Sequence, residues 1–258
     1  MILYVFFVCL CASTIGGVCG IGGGIVIKPL LDATGIMSIS TVSFLSGLTV
    51  LAMSLVSVYK NRKTKELDAV RSIPLGVGAA IGGVMGKRLF DILKAALGAD
   101  QLLGTIQALV LGVLVLFTLV YQLNRARIPT RDVKSRSLAA LIGLLLGLFS
   151  SFLGIGGGPM NLAVLFYFFS MGTKAAAVNS LLIVLISQSV SVMMTLLGKG
   201  APAFEAPVLL AMVSAGILGG LISARLHKKL SAQTTDKLFC ALLVAILVIC
   251  GFNACKGM

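Results

Sequence analysis

GVCGIGGGIVIKP spans residues 17–29, and a near-copy, SSFLGIGGGPMNL, spans residues 150–162. Both lie inside apolar segments, where an uninterrupted helix is the ordinary expectation. Three consecutive glycines oppose it, at about 1 kcal/mol each relative to alanine in a helix interior. A chain that accepts this cost twice, at the same motif, is read as breaking a helix on purpose. Everything else in the sequence is read outward from those two breaks.

The surroundings are those of a membrane protein. Of 258 residues, 58% are hydrophobic and 11% charged, against about 25% charged in soluble domains; the mean hydropathy is +1.09. Transmembrane helices need about 20 mostly apolar residues. Eight segments qualify, at 2–20, 36–59, 72–90, 102–123, 137–154, 174–198, 205–226 and 235–254. The first and fifth run into GIGGG, and each is followed by a short apolar piece, 25–34 or 159–171, too short to span. The net charge of +13 sits in loops beside apolar runs, as membrane orientation requires. No basic stripe lies on a folded polar face, so nucleic acid is not an expected partner; the lipid bilayer is.

The two halves are repeats. Residues 16–58 align with 150–192 at a constant offset of 134, without a gap, with about 14 identities; internal repetition of this kind marks many transporter folds. Ser46 falls on Ser180 and Ser54 on Gln188, and IGGVMGKRL (81–89) matches LGGLISARL (218–226). The expected organisation is a first membrane repeat over 1–123, a basic linker over 124–136 and a second membrane repeat over 137–258.

Lys and Arg cluster in three loops, 60–71, 124–136 and 224–230, which the positive-inside rule places together in the cytoplasm. Eight simple crossings would send 224–230 to the wrong side. The conflict disappears if segments one and five dip in and return at GIGGG, leaving three full crossings per half. The second half then runs upside-down relative to the first, and both termini face outside. The expected fold is therefore all-α and polytopic, with two inverted repeats, each holding one glycine-broken re-entrant or discontinuous helix and about three spanning helices. The segment GKRLFDILK (86–94), basic yet assigned to the outer side, strains this plan.

Broken backbone at membrane depth survives only where protein buries it or where it lines a wet cavity. A helix starting after each GIGGG presents free amides and the positive end of a dipole, which suit an anion. Glycine lets a ligand approach that backbone with no Cβ in the way. The expected cradle comprises Gly22, Gly23 and Gly24 with Gly156, Gly157 and Gly158. Lys28 follows four residues after Gly24, with Asp32 one turn on. It is either a positive charge beside the anion pocket or half of a Lys–Asp pair at the interface. Ser46, Asn161, Asn179, Ser180 and Gln188 are candidate hydrogen-bonding residues for an oxyanion, or else helix-to-helix contacts. Gly78, Gly82 and Gly86, spaced by four, suit close helix packing.

Enzyme chemistry finds no support: no carboxylate pair is placed for acid–base work, and no Ser–His–Asp arrangement can be read. One His and scattered Cys residues make no metal-ligand cluster. No catalytic residue, metal or cofactor is expected.

GxxxGIGGGxxxxP early in the chain, its second copy GLFSSFLGIGGGPMNLAVL, and Asn-Ser-Leu in segment six resemble the sulfite exporter TauE/SafE family of membrane permeases. That resemblance implies a multi-pass permease of the cytoplasmic membrane, carrying a small anion such as sulfite, a sulfonate or another organosulfur oxyanion by alternating access. The second copy departs from the pattern, with Ala163 where the first has Pro29 and with Pro159 at the start of its half-helix. An anion channel, or a non-transporting membrane subunit whose glycines serve packing, stays open, as does homo-oligomerisation.

Overall fold

A computed structural model describes residues 2–97, 100–153, 158–198 and 201–257. Among these it is all-helical. The helices are α1 (Ile2–Cys19), α2 (Gly24–Thr34), α3 (Ile39–Asn61), α4 (Ala69–Leu97), α5 (Asp100–Asn124), α6 (Arg136–Leu153), α7 (Gly158–Phe169), α8 (Thr173–Leu197), α9 (Ala206–Lys229) and α10 (Ala232–Gly257), with one 3-10 turn over Arg125–Arg127. Eight of them are long and apolar enough to cross a membrane. The short helices α2 and α7 are the exceptions, each following a helix of 18 residues.

The principal packing pairs exchange partners between halves. Helix α1 lies on α9 and α6 on α4; α3 meets α9 as α8 meets α4; α2 touches α10 as α7 touches α5; α3 pairs with α8 and α5 with α10. Exchanging α1–α5 with α6–α10 leaves this scheme unchanged. The long arms α1 and α6 thus rest mainly on the other half, while the short helices α2 and α7 also pack on α3 and α8 of their own.

Small residues make the closest of these contacts. A Cβ added at Gly78, Gly82 or Gly86 would fall 2.0, 1.9 and 2.2 Å from the carbonyl oxygens of Ala140, Leu144 and Leu148. From the other side, one at Gly143 or Gly147 would fall 2.0 and 1.9 Å from those of Leu75 and Ala79. Backbone thus lies on backbone along the α4–α6 seam, as the spacing of Gly78, Gly82 and Gly86 suggests.

Hydrogen bonds fix which loops share an end. Arg71 donates to Asp132 at 2.9 Å, His227 Nε2 lies 3.4 Å from Glu66, and Arg125 reaches Asp236 at 3.8 Å. The three basic loops therefore sit together. At the opposite end Thr41 donates to Ala203 O, so the loops before α3 and α9 are neighbours. Segment 86–94 lies toward that opposite end, where the Lys87 amine donates to Thr195 Oγ1.

Helix direction follows from register. Gly78, Gly82 and Gly86 meet Ala140, Leu144 and Leu148 in order, so α4 and α6 run parallel; Gly219 meets Ser13 and Gly17 meets Ser223, so α1 and α9 do too. Helix α4 leaves the basic end whereas α9 arrives at it, so α1 and α6 run in opposite directions. The last turn of α7 returns to the segment that leads into α6, with Arg131 N donating to Tyr167 O and Val133 N to Phe168 O.

Candidate functional site

The first glycine motif builds a turn that only glycine makes easily. Gly20 and Gly22 have φ of +80° and +74°, a region costing other L-residues about 1–2 kcal/mol. Gly20 is also sterically required, since a Cβ there would sit 2.3 Å from Ala177 Cα on α8. Gly22 lies beside Val50 and Val184, each near the middle of its helix, α3 or α8. The start of α2 is therefore at mid-height in the bundle, whereas Gly20, beside Ala177, and the end of α1 lie nearer the basic end; residues 16–25 are all buried.

Gly23 caps α2 without a side-chain hydrogen bond. The first ladder bonds of α2 are those from Val26 N and Ile27 N, both to Gly23 O. The amides of Gly24 and Ile25 precede them and have no intrahelical partner, as at any helix start. Across from them stands the second break. Gly158, the first residue of α7, has φ +36°, and a Cβ on it would lie 3.0 Å from Ile25 Cδ1 and 3.9 Å from Ile21 O. The positive ends of two half-helices thus converge. Gly156 and Gly157 lie outside the described residues.

Buried polar groups without partners accompany this convergence. Asn161 Nδ2 in the first turn of α7, Ser180 Oγ on α8 and Ser13 Oγ on α1 are buried and have no hydrogen-bond partner. Ser180 lies on the face of α8 between Ala177, which meets Gly20, and Val184, which meets Gly22. Ser13 Oγ would be 3.1 Å from a Cβ on Gly23. Leaving such groups unsatisfied costs about 1–3 kcal/mol each. Ser13 is the residue that sequence reasoning missed. Its counterpart at offset 134 is Gly147, so the repeat carried no signal for it.

The other candidates have protein partners. Ser46 Oγ donates to Ser43 O, and Gln188 Oε1 lies against Gly47 on α3. Asn179 uses both amide hydrogens and both lone pairs. It donates to Glu66 O and Ala175 O and accepts from Asp68 N and Ser72 Oγ, at 2.7–2.9 Å. It is the pin that holds the loop between α3 and α4. Lys28, only 4% exposed, donates to Leu153 O at 2.9 Å and to Gln107 Oε1 at 3.1 Å. Its amine serves the end of α6.

Among the described residues, no group of three His, Cys, Asp or Glu is placed to hold a metal ion. Taken together, the fold is that of a multi-pass helical membrane protein in which the start of α7 lies against the start of α2. The chain belongs to the sulfite exporter TauE/SafE family, which it matches over residues 5–249. It is also similar to the probable membrane transporter protein MamO of Magnetospirillum gryphiswaldense, 27% identical over 189 residues, covering 70% of this chain and 29% of that protein. The protein of the same name from Paramagnetospirillum magneticum is 35% identical over 113 residues, covering 42% of this chain and 18% of that one. The chain thus spans less than a third of the length of these curated relatives. No solved structure matches it. The family and both relatives are named as membrane transport proteins.

Proposed function

We propose that the chain is a secondary permease of the cell membrane for a small anion, with sulfur oxyanions the first candidates. The observation that carries this reading is the approach of Gly158 to Ile21 and Ile25, which brings two half-helix N-termini together at mid-height. Each contributes free amides and about half a positive charge, and neither Gly20 nor Gly22 puts a side chain in the way. The anion lies between the two breaks, in contact with the amides of Gly22, Gly23, Gly24 and Gly158. Asn161 and Ser180 donate to its oxygens, as does Ser13. Gly156 and Gly157, outside the described residues, are assigned to the same cradle by the repeat alone. Ser46 and Gln188 line the α3–α8 contact beside it. Lys28 adds positive potential from one turn further into α2.

Alternating access follows from the exchanged packing. Helix α1 rests on α9 and α6 on α4, each in the other half, so rocking one pair against the other would open the cradle to alternate ends. Positively charged loops place the basic end in the cytoplasm.

Thermal unfolding of the purified protein against sulfite, sulfate, thiosulfate, sulfoacetate, acetate and chloride tests the reading. A ligand at a hundred times its Kd stabilises by about 2.7 kcal/mol. The expected result is a rise in Tm with a sulfur oxyanion that is lost in Ser180→Ala and Asn161→Ala. No rise with any anion, together with no anion flux in liposomes, would overturn it. Saturable counterflow would mark a carrier, and an ohmic current a channel.

A further inference from the structure

We propose that Lys28 is a resident counter-cation: its ammonium holds the place at the α6 break that a mobile alkali cation holds in transporters with broken helices. In such proteins the unwound carbonyls and the negative ends of half-helices bind the coupling ion. The described part of α6 runs to Leu153, directly before the second glycine motif, and the carbonyls of a helix's last turn carry the negative end of its dipole. Lys28 Nζ donates to Leu153 O at 2.9 Å and to Gln107 Oε1 at 3.1 Å, and Gln107 Nε2 donates to Phe152 O at 2.6 Å.

Both acceptors of the amine are neutral oxygens, the ligand type that sodium and potassium take. Lys28 is 4% and Gln107 6% exposed, so these bonds are shielded from water. A negative charge to balance a cation is also at hand. Asp32 lies one turn further along α2, and its Oδ1 is buried without a hydrogen-bond partner. Two neutral oxygens and a helix C-terminus, with the Asp32 carboxylate one turn away along α2, make a cation site. It is filled here by an amine that cannot leave.

The first break is treated differently. Offset 134 maps Val18 onto Phe152 and Lys28 onto Leu162. Val18 O is met by His227 Nδ1 at 3.3 Å. Each break thus has its end carbonyls served by a nitrogen side chain from the opposite half, and only the second receives a lysine. The consequence is that the chain works without sodium or potassium at this position, and that removing the amine opens a monovalent cation site.

The consequence for transport rests on the permease reading; the cation site itself does not. The test compares Tm in sodium, potassium and choline salts of one common anion at matched ionic strength, for wild type, Lys28→Ala and Lys28→Met. Wild type should melt at the same temperature in all three. Lys28→Ala should melt lower in choline and be restored toward wild type, saturably, by sodium or potassium. Lys28→Met, which fills the space with an apolar chain, should show no such rescue. A wild-type Tm or wild-type anion flux that depends on sodium or potassium would overturn the inference. So would a Lys28→Ala protein equally stable in all three salts. Should Lys28→Ala fail to fold in choline, its recovery when extracted and purified in sodium or potassium throughout is the expected result, and failure there as well counts against the site. Failure of the anion panel would remove the permease reading while leaving the cation rescue intact, so the two are separable.

Discussion

At the level of single residues, the sequence reveals where polar groups are costly but not whom they face. Lys28 stands out in its apolar run because intramembrane cations are expensive. Its partners lie 79 and 125 residues away, beyond the reach of any local pattern. Asn179 is similar: an isolated amide in an apolar helix reads equally well as a ligand contact or a structural one. Its four bonds tie α8 to residues 66, 68 and 72 and to its own preceding turn. Asn179→Leu should therefore release the loop between α3 and α4, with a stability loss of about 1–3 kcal/mol from the groups left unpaired. Trypsin checks this directly, because that loop carries Arg62, Lys63 and Lys65, all exposed. Cleavage there should accelerate in the variant, and an unchanged rate would show that the pin is dispensable.

Among elements, glycine does two separable jobs. At Gly20 and Gly22 it supplies backbone conformations that end a helix; along α4 and α6 it lets two helices touch. Three glycines in a row inside an apolar stretch contradict helix propensity and so signal the first job, yet the left-handed conformations fall on Gly20 and Gly22 while Gly23 is right-handed and Gly24 is helical. The second was legible because a four-residue spacing puts Gly78, Gly82 and Gly86 on one face. What could not be read was the partner, since α6 offers many small residues and apolar helices resemble one another. The α4–α6 seam yields a controlled prediction. Gly82→Ala places a methyl 1.9 Å from Leu144 O, and such overpacking costs about 1–3 kcal/mol or more. Gly112→Ala is the control: its Cβ meets nothing closer than Cys250 Cβ at 3.9 Å, and alanine favours the helix by about 1 kcal/mol. Unfolding in detergent should show Gly82→Ala less stable than wild type and Gly112→Ala equal or more stable. Equal stability of both would mean that the seam gives way easily.

For the molecule as a whole, the decisive quantity is how many times the chain crosses the membrane. Length and composition allow eight crossings, because α1 and α6 have 18 residues each and about 27 Å suits a thin bilayer. The return of α2 argues for six. Helix α1 runs beside α9 almost to the basic end, but α2 starts level with the middle of α3 and α8 and turns back toward the loop before α3. With three crossings per half, the second half must run upside-down, which also unites the three basic loops at one end. Single-cysteine labelling in a background without the native cysteines distinguishes these plans. Exposed positions Leu3 and Ile36 flank the α1–α2 hairpin, Ala201 precedes α9, and Lys63 and Lys134 lie in basic loops. Cysteines at 3, 36 and 201 should react from one side of the membrane, and those at 63 and 134 from the other. If positions 3 and 36 label from opposite sides, the α1–α2 unit crosses completely. The two half-helix starts would then be stages of a span, and the anion cradle would lose its inverted frame.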